Sequence, residues 1–385
     1  MIARQRMEVG ASEVLKALLG RGERDREFQR ALQRFGVGSR ASLALSARVG
    51  LFHLFRMSGR RVAILPAYNC RVVVEAARLA GLETRFVDID LATFNMLEDR
   101  VAALASPDCA IVATHQFGIP CDIARLVKIA EDSGAFLIED CAAALGSTID
   151  GNPVGGFGRA AVYSFEATKL LTLGCGGLIT FNDEQTQKRF AEYVAGATHR
   201  DFSARLAARV LFDPALTSPA VFPVVHRLYT SLKGLTSDDG ILDLSWAPCG
   251  LPVPAAWQTR LGLSLAERLD EVLSRRRATA AFYFEKLGEV DGIELPIIPP
   301  GRDPVLIRFP IRVTSMPKTE FYERCVAQGV DLAFSFTYAC DPDAERFPNS
   351  HAAAAQVLDL PIYSKLRHED ALSVTRAVRN AIAHR

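Results

Sequence analysis

Between Arg61 and Ala195, short and almost unbroken apolar runs alternate with amphipathic stretches. This alternation restricts the fold more than any other feature of the sequence. Residues 62–65 form a strand pattern that stops at Pro66, and 72–79 follow with helical spacing. Residues 84–89 and 109–114 read as strands, 122–132 as helix and 135–138 as strand. Two more strand candidates, 160–165 and 177–181, precede a helix over 183–195. Strands without a polar face have to be covered on both sides, and intervening helices supply that cover. The expectation is an α/β fold with a mostly parallel sheet between helices.

At 385 residues the chain exceeds what one ordinary core accommodates, so two domains are expected. We place a large α/β domain over 1–247, with an apolar insertion at about 205–240, and a smaller α+β domain over 248–385. Residues 1–35 carry helical spacing. Turn chemistry at 236–240 and a proline-rich connector at 248–254 lead into one long helix over 255–287, with Leu261, Leu265, Leu269, Val272 and Leu273 on one face. Beyond it, 305–313 reads as strand, and 318–328 and 369–383 as helices.

Lys and Arg number 45 against 44 Asp and Glu, a balance that argues against nucleic acid or an anionic membrane surface as partner. Eight cysteines lie scattered without CxxC or zinc-finger spacing, which fits reduced thiols in the cytoplasm and no metal site. The N-terminus lacks the apolar core of a signal peptide. The greasiest stretch, 210–235, contains Asp213, Lys233, His226, Arg227 and three prolines, so it fails as a membrane span and reads as a cover over a cleft.

The P-loop, HExxH and GxSxG patterns are absent. Gly36 to Ala41 matches GxGxxA but follows a helical stretch rather than a strand, which weakens a dinucleotide reading and ranks a nicotinamide oxidoreductase last. What remains is a glycine-rich turn opening a helix over 42–57, whose free N–H groups suit an anion such as phosphate. The informative stretch is 135–181. Asp140 ends one apolar strand, and Ser164 and Lys169 follow another in SFEATK. A carboxylate and a lysine delivered to one crevice make either a salt bridge or a pyridoxal phosphate site. In the second case the lysine forms a Schiff base and the carboxylate keeps the pyridine nitrogen protonated.

IEDCAAALG and YSFEATKLLTLGCGGLITF resemble the matching segments of the DegT/DnrJ/EryC1/StrS family of fold-type I, pyridoxal-phosphate-dependent sugar aminotransferases. ILPAYNC, FVDID, THQFGIPCDIARLVKIAEDSG, RRRATAAFYFEKL and RFPNSHAAAAQVLDLPIY occur in that family's order, so the likeness spans nearly the whole chain. The resemblance implies pyridoxal 5'-phosphate as cofactor, Lys169 as the lysine that carries it, and Asp140 as partner of the pyridinium nitrogen. It gives Ser164, with Ser39, Arg40 and Ala41, to the cofactor phosphate, and Cys70 to the place where an aromatic usually stacks on the ring. It implies an amino-acid donor such as glutamate, a keto-sugar acceptor that is nucleotide-linked, a role in amino-sugar or surface-glycan biosynthesis, and a homodimer with active sites at the subunit interface.

Ala143 stands where that family commonly has Gln or His, and Leu251 and Val253 near its usual Asn and Arg. His115 either lines the cleft or is packed. Glu166 either meets substrate or makes a structural ion pair, and Tyr68 and Asn69 follow a strand end near the site. His226 reads as a packing residue, and Cys175 as present for its small size. A dehydratase of the same family usually replaces the lysine by histidine, which Lys169 speaks against. A non-catalytic regulatory protein with this fold has only the departures in its favour.

Overall fold

The computed structural model describes residues 1–200, 203–232 and 250–383. Seven strands form the central sheet: β1 (Ala41–Ala44), β2 (Val62–Pro66), β3 (Glu83–Val87), β4 (Cys109–Thr114), β5 (Phe136–Asp140) and, after a small hairpin of β6 (Thr148–Ile149) and β7 (Asn152–Pro153), β8 (Ala160–Ser164) and β9 (Gly177–Phe181). Their order is β1-β9-β8-β5-β4-β2-β3. Strand β9 runs antiparallel to β1 and β8, and the other pairings are parallel. Every residue of β2, β4, β5 and β9 is buried, as apolar strands require.

Helices α1 (Ala11–Leu19), α2 (Asp25–Leu32), α3 (Ala47–Ser58), α4 (Arg71–Leu79), α5 (Glu98–Leu104), α6 (Ile123–Ser133) and α7 (Glu184–Tyr193) belong to this half. Side-chain caps fix where three of them begin. Ser46 Oγ accepts the Val49 N–H, the Asp122 carboxylate that of Arg125, and the Asp183 carboxylate that of Thr186.

Next come β10 (Thr198–Arg200), α8 (Ala204–Leu216), α9 (Phe222–Leu232) and β11 (Leu251–Val253), which pairs in parallel with β10. Helix α10 (Ala256–Ala266) lies against α1 and α2, and α11 (Leu269–Leu287) leads into the rest of the chain. There β12 (Ile293–Glu294), β14 (Phe309–Val313) and β15 (Val357–Leu360) make an antiparallel sheet, while β13 (Arg302–Asp303) joins the β6–β7 hairpin. Helices α12 (Lys318–Ala327), α13 (Pro348–Gln356) and α14 (His368–Ala383) complete the unit. A second core, including Tyr283, Phe309, Ile311, Phe321 and Leu358, lies between this sheet and α11, α12 and α14.

Four local expectations change, the first being that the strand expected over 305–313 begins only at Phe309. The helix expected over 1–35 is two helices, broken at Gly20–Gly22, preceded by an extended strap. The long helix over 255–287 is α10 and α11, parted at Glu267 and Arg268. The helix expected over 42–57 starts only at Ala47, because residues 41–44 pair with β9 as a strand. The turn at 236–240 and residues 248–249 of the connector lie outside the described residues. Among the described residues no helix is long and apolar enough to cross a membrane.

One buried carboxylate organises the sheet's working edge. Glu139 is fully buried, and its oxygens accept the N–H groups of Gly155 (2.8 Å), Phe157 (2.7 Å) and Gly158 (2.7 Å). His115 Nε2 lies 3.2 Å from the same carboxylate, while His115 Nδ1 accepts the Cys121 N–H. Nε2 thus donates to Glu139; burial pulls the His115 pKa down, but Cys121, Cys141 and Glu139 outweigh it and hold it well above the ordinary value. Burial pushes the Glu139 pKa up, but His115 and the backbone donors outweigh it and hold it below the ordinary value. His115, Glu139 and Cys141 bring ligand atoms within 4.8 Å of one another, yet both imidazole nitrogens and both carboxylate oxygens are already engaged. Glu139→Ala strands these donors, and we expect a loss of about 3–5 kcal/mol in urea unfolding. A loss under about 1 kcal/mol would mean that the loops find another acceptor.

Candidate active site

Adjacent residues of a strand face opposite ways, so while Glu139 points into the clamp, Asp140 points away from it. Parallel register sets Asp140 beside Val162 of β8, two residues before Ser164. Ser164 pairs with Gly177 of β9, which in turn pairs with Ala44 of β1. A Cβ on Gly177 would stand 2.4 Å from the Ser46 carbonyl carbon and 2.5 Å from the Ala47 nitrogen. The first turn of α3 therefore rests on the start of β9, one strand spacing of about 4.8 Å from Ser164.

Lys169 lies in the loop between β8 and β9. Its N–H donates to the Glu166 carbonyl, and the Glu166 carboxylate accepts the Thr168 N–H (3.2 Å) and hydroxyl (2.7 Å). Gln5 of the N-terminal strap donates to the Thr168 carbonyl at 2.8 Å. Gly174, at φ +76, sits so close to α8 that a Cβ would meet Val210 Cγ2 at 2.2 Å. Helix α8 thus covers the loop that presents the lysine, part of the cover expected of the apolar insertion.

Burial lowers the Lys169 pKa; Glu166 pulls it back up, Arg308 adds to the lowering, and Asp140 and Cys70 oppose it. Burial raises the Asp140 pKa, against a hydrogen bond from the Ala142 N–H and the charge of Lys169. Among the described residues, Lys169 Nζ, Asp140 Oδ2 and the Ser164 hydroxyl have no hydrogen-bond partner in the chain, although Asp140 is 5% exposed and the other two are half-buried. Three polar groups left open at neighbouring strand ends are the donor set a pyridine aldehyde carrying a phosphate would use, and the residues fit that cofactor.

Cys70 belongs to the same cleft: it caps α4, and the charges of Lys169, Asp140 and Arg48 reach it. Ser39, Arg40 and Ala41 do not belong there. Ser39 and Arg40 are exposed, and Ala41 pairs with Thr180, three residues or about 10 Å down the sheet from the Ala44–Gly177 level. The helix opening is instead at Ser46, Ala47 and Arg48, and the Arg48 charge reaches both Cys70 and Cys175. The serine cap before Val49 is the sequence signal for that opening.

The other candidates resolve as follows. His115 is packed in the clamp, and Asn69 is a turn residue whose side chain accepts the Cys70 N–H. Tyr68 is buried among Phe94, Phe117 and Phe336, where burial pushes its pKa well up. His226 meets Asp331 at 3.6 Å beside a cavity of about 320 Å³, and Cys175 Sγ donates to the Leu45 carbonyl. Ala143 is half-buried and packed against the large core. Leu251 and Val253 are buried in that core too, which suits their apolar character. Sequence reasoning passed over Arg308, which joins the cleft from the segment before β14. An arginine set between Ile307 and Phe309, ahead of the strand proper, was the signal.

The model of the DegT/DnrJ/EryC1/StrS aminotransferase family matches residues 4–208 and 256–379. The dTDP-4-dehydro-2,3,6-trideoxy-D-glucose 4-aminotransferase of Saccharopolyspora spinosa is 24% identical over 335 residues, 83% of this chain and 78% of that protein. The GDP-perosamine synthase of Escherichia coli O157:H7 is 34% identical over 142 residues, 36% of this chain and 39% of its own length. The crystal structure of the sugar aminotransferase CalS13 from Micromonospora echinospora superposes with a TM-score of 0.76 at 24% identity, covering 99% of this chain and 100% of that one.

The electrostatics are open to a direct check. In cofactor-free protein, Lys169 labelling by an amine-reactive reagent, followed by peptide mass spectrometry, should rise with pH around a midpoint below that of free lysine. Because the Asp140 charge raises the Lys169 pKa, Asp140→Asn should move that midpoint to lower pH. An upward shift would contradict the assigned geometry.

Proposed function

The chain belongs to the DegT/DnrJ/EryC1/StrS aminotransferase family, and we propose that it passes the amino group of an amino acid, glutamate, to a keto sugar carried on a nucleotide. The enzyme is a pyridoxal-phosphate-dependent aminotransferase. Its cofactor supplies an aldehyde that takes up the amino group and a ring that draws electrons from the carbon being deprotonated. The observation that carries the residue assignment is that Asp140 and Ser164 end neighbouring strands, with Lys169 in the loop after β8 and within reach of the Asp140 charge.

Asp140 holds a proton at the ring nitrogen. Its burial strengthens that interaction, because little water is left to screen it. Lys169 Nζ carries the cofactor and, once released, takes the proton from the donor's α-carbon and returns it on the acceptor half-cycle. Burial favours its neutral amine, the form able to attack or accept a proton. Ser164, the first-turn N–H groups of α3 and the Arg48 guanidinium hold the phosphate, where helix dipole and charge act together. Cys70 leaves more room over the ring than an aromatic would.

The relatives' names motivate the acceptor, and Lys169 disfavours the dehydratase alternative. We further propose a homodimer with active sites at the subunit interface and a place in amino-sugar or surface-glycan biosynthesis. A cytoplasmic setting is consistent with seven unpaired cysteines among the described residues.

Visible absorbance of the protein with added cofactor, before and after glutamate, tests the chemistry. Wild type should show a band that glutamate bleaches, and Lys169→Ala should lose at least about a hundredfold in that half-reaction. A band indifferent to every amino acid would overturn the donor assignment.

The phosphate site has its own check by equilibrium dialysis. Ser164→Ala and Arg48→Ala should each weaken cofactor binding about tenfold, whereas Arg40→Ala should not. Weakening by Arg40→Ala alone would return the site to the glycine-rich turn.

A further inference from the structure

Away from the cofactor cleft, the N-terminal strap, the turn after α8 and the segment leading into α14 enclose a cavity of about 450 Å³. The strap divides this cavity from the lysine loop. Gln5 reaches the loop and donates to the Thr168 carbonyl, whereas its neighbour Arg6 lines the cavity. Tyr363, Lys365, Arg367 and Asp370 line it too, and Ile2 and Pro219 add apolar surface. Sites for small organic molecules run from about 300 to 1,000 Å³, so the space suits such a molecule and exceeds what a bare ion fills.

Arg6 is a cation without a counter-ion. Among the described residues its guanidinium has no hydrogen-bond or ion-pair partner, although its Nε is buried. The carboxylates of the neighbourhood are already engaged. Glu8 accepts from Arg276 and from the Ser364 N–H and hydroxyl, and Asp370 receives Nε and Nη2 of Arg367 at 2.9 and 3.0 Å. Glu369, out in solvent, stands 3.8 Å from the same arginine.

Two further donors face this cation. Tyr363 is 5% exposed, and among the described residues its hydroxyl has no hydrogen-bond partner. Burial raises the Tyr363 pKa, while the charges of Arg6 and Arg367 oppose the rise, so both guanidinium groups act on the phenol. Lys365 Nζ donates to the Met7 and Val9 carbonyls at 3.2 and 2.9 Å, which fixes the ammonium and leaves its third N–H open. Burial lowers the Lys365 pKa; Glu8 and Glu13 oppose this, and Arg268 and Arg6 push it lower still. Like charges gathered in this way oppose folding, and an anion would relieve them.

The charge balance selects the anion. Three cationic side chains line the cavity against one carboxylate, a surplus of two positive charges. A carboxylate ligand brings a single negative charge, whereas a phosphate monoester brings about 1.5 to 2 at neutral pH. Its three terminal oxygens also match donors on three separate side chains.

We propose that this cavity binds an organic phosphate, with Arg6, Tyr363 and Lys365 as donors to the phosphate and Ile2 and Pro219 against its organic body. The site is separate from the one that holds the cofactor. It does not depend on which donor or acceptor the enzyme uses.

Phenyl phosphate is the probe, titrated by calorimetry into enzyme saturated with pyridoxal phosphate, so that the cofactor's own phosphate site is filled. Wild type should bind it at least about tenfold more tightly than benzoate, which carries one charge fewer, and more tightly than inorganic phosphate, which leaves the apolar surface uncovered. Arg6→Gln should weaken binding about 10- to 100-fold, and Tyr363→Phe about 3- to 10-fold. Because Arg6 has no internal partner to lose, Arg6→Gln should melt at the wild-type temperature and keep cofactor affinity within about twofold.

An absence of phenyl phosphate binding in wild type, or benzoate or inorganic phosphate bound as tightly, would overturn the proposal. Equal affinity in wild type, Arg6→Gln and Tyr363→Phe would overturn it too, by placing the bound phosphate elsewhere. An Arg6→Gln variant that fails to fold would show that Arg6 serves the fold, and Tyr363→Phe would then decide, supporting the site if affinity falls and refuting it if affinity holds.

Discussion

The Glu139 carboxylate is the interaction on which the working edge of this protein depends. It gathers the loop after β4 through His115 and the loop before β8 through three backbone N–H groups, all from the end of β5. A charge this deeply buried is tolerated only because its donors are fixed around it. The same rigidity aims Asp140. The two carboxylates are neighbours in sequence and opposites in role, one saturated with donors and the other left with an open oxygen.

A second set of buried charges ties the C-terminal elements to the cleft. Glu8 and Arg276, 2% and 1% exposed, pair at 3.0 Å, and Glu8 also accepts the Ser364 N–H and hydroxyl. Arg276 Nη1 donates to the Ile307 carbonyl at 3.1 Å, directly before Arg308. Burial pushes the Glu8 pKa up, but Arg276 and Ser364 overcome it and keep the carboxyl below its ordinary range. A pair of this kind contributes little net stability, since desolvation offsets attraction, but removing either partner leaves a charge stranded. Its consequence is positional. Through the same strap, Arg4 pairs with buried Asp331 at 2.6 Å and Gln5 holds the Thr168 carbonyl, so residues 4–8 fix the lysine loop relative to Asp331 and Ser364.

Within the cleft the balance of charge is set by burial more than by pairing. Lys169 feels Glu166 and Asp140 as attractive and Arg308 as repulsive, while desolvation dominates all three. An amine in that field remains available instead of being locked in a salt bridge, the bland alternative that Asp140 and Lys169 left open in the sequence. The repulsion from Arg308 acts in the same direction as burial.

The sequence by itself determined the α/β architecture, the strand ends at Asp140 and Ser164, and the lysine that follows them. Unbroken apolar runs can only be sheet interior, and a polar residue that ends such a run must face the sheet edge. Tertiary structure decided what sequence spacing does not encode. Whether residues 41–44 make strand or helix depended on β9 lying beside them, so the helix opens at Ser46–Arg48 and not beside Ser39–Ala41. Whether His115 met the cleft depended on Glu139 and Cys121 claiming both its nitrogens. Arg308, far along the chain from Lys169, reached the site only because the Val305 and Ile307 N–H groups, donating to Ser147 Oγ and the Phe117 carbonyl, hold its segment across the sheet edge. Local periodicity is written residue by residue, whereas contacts between distant segments exist only once both have folded against a common surface.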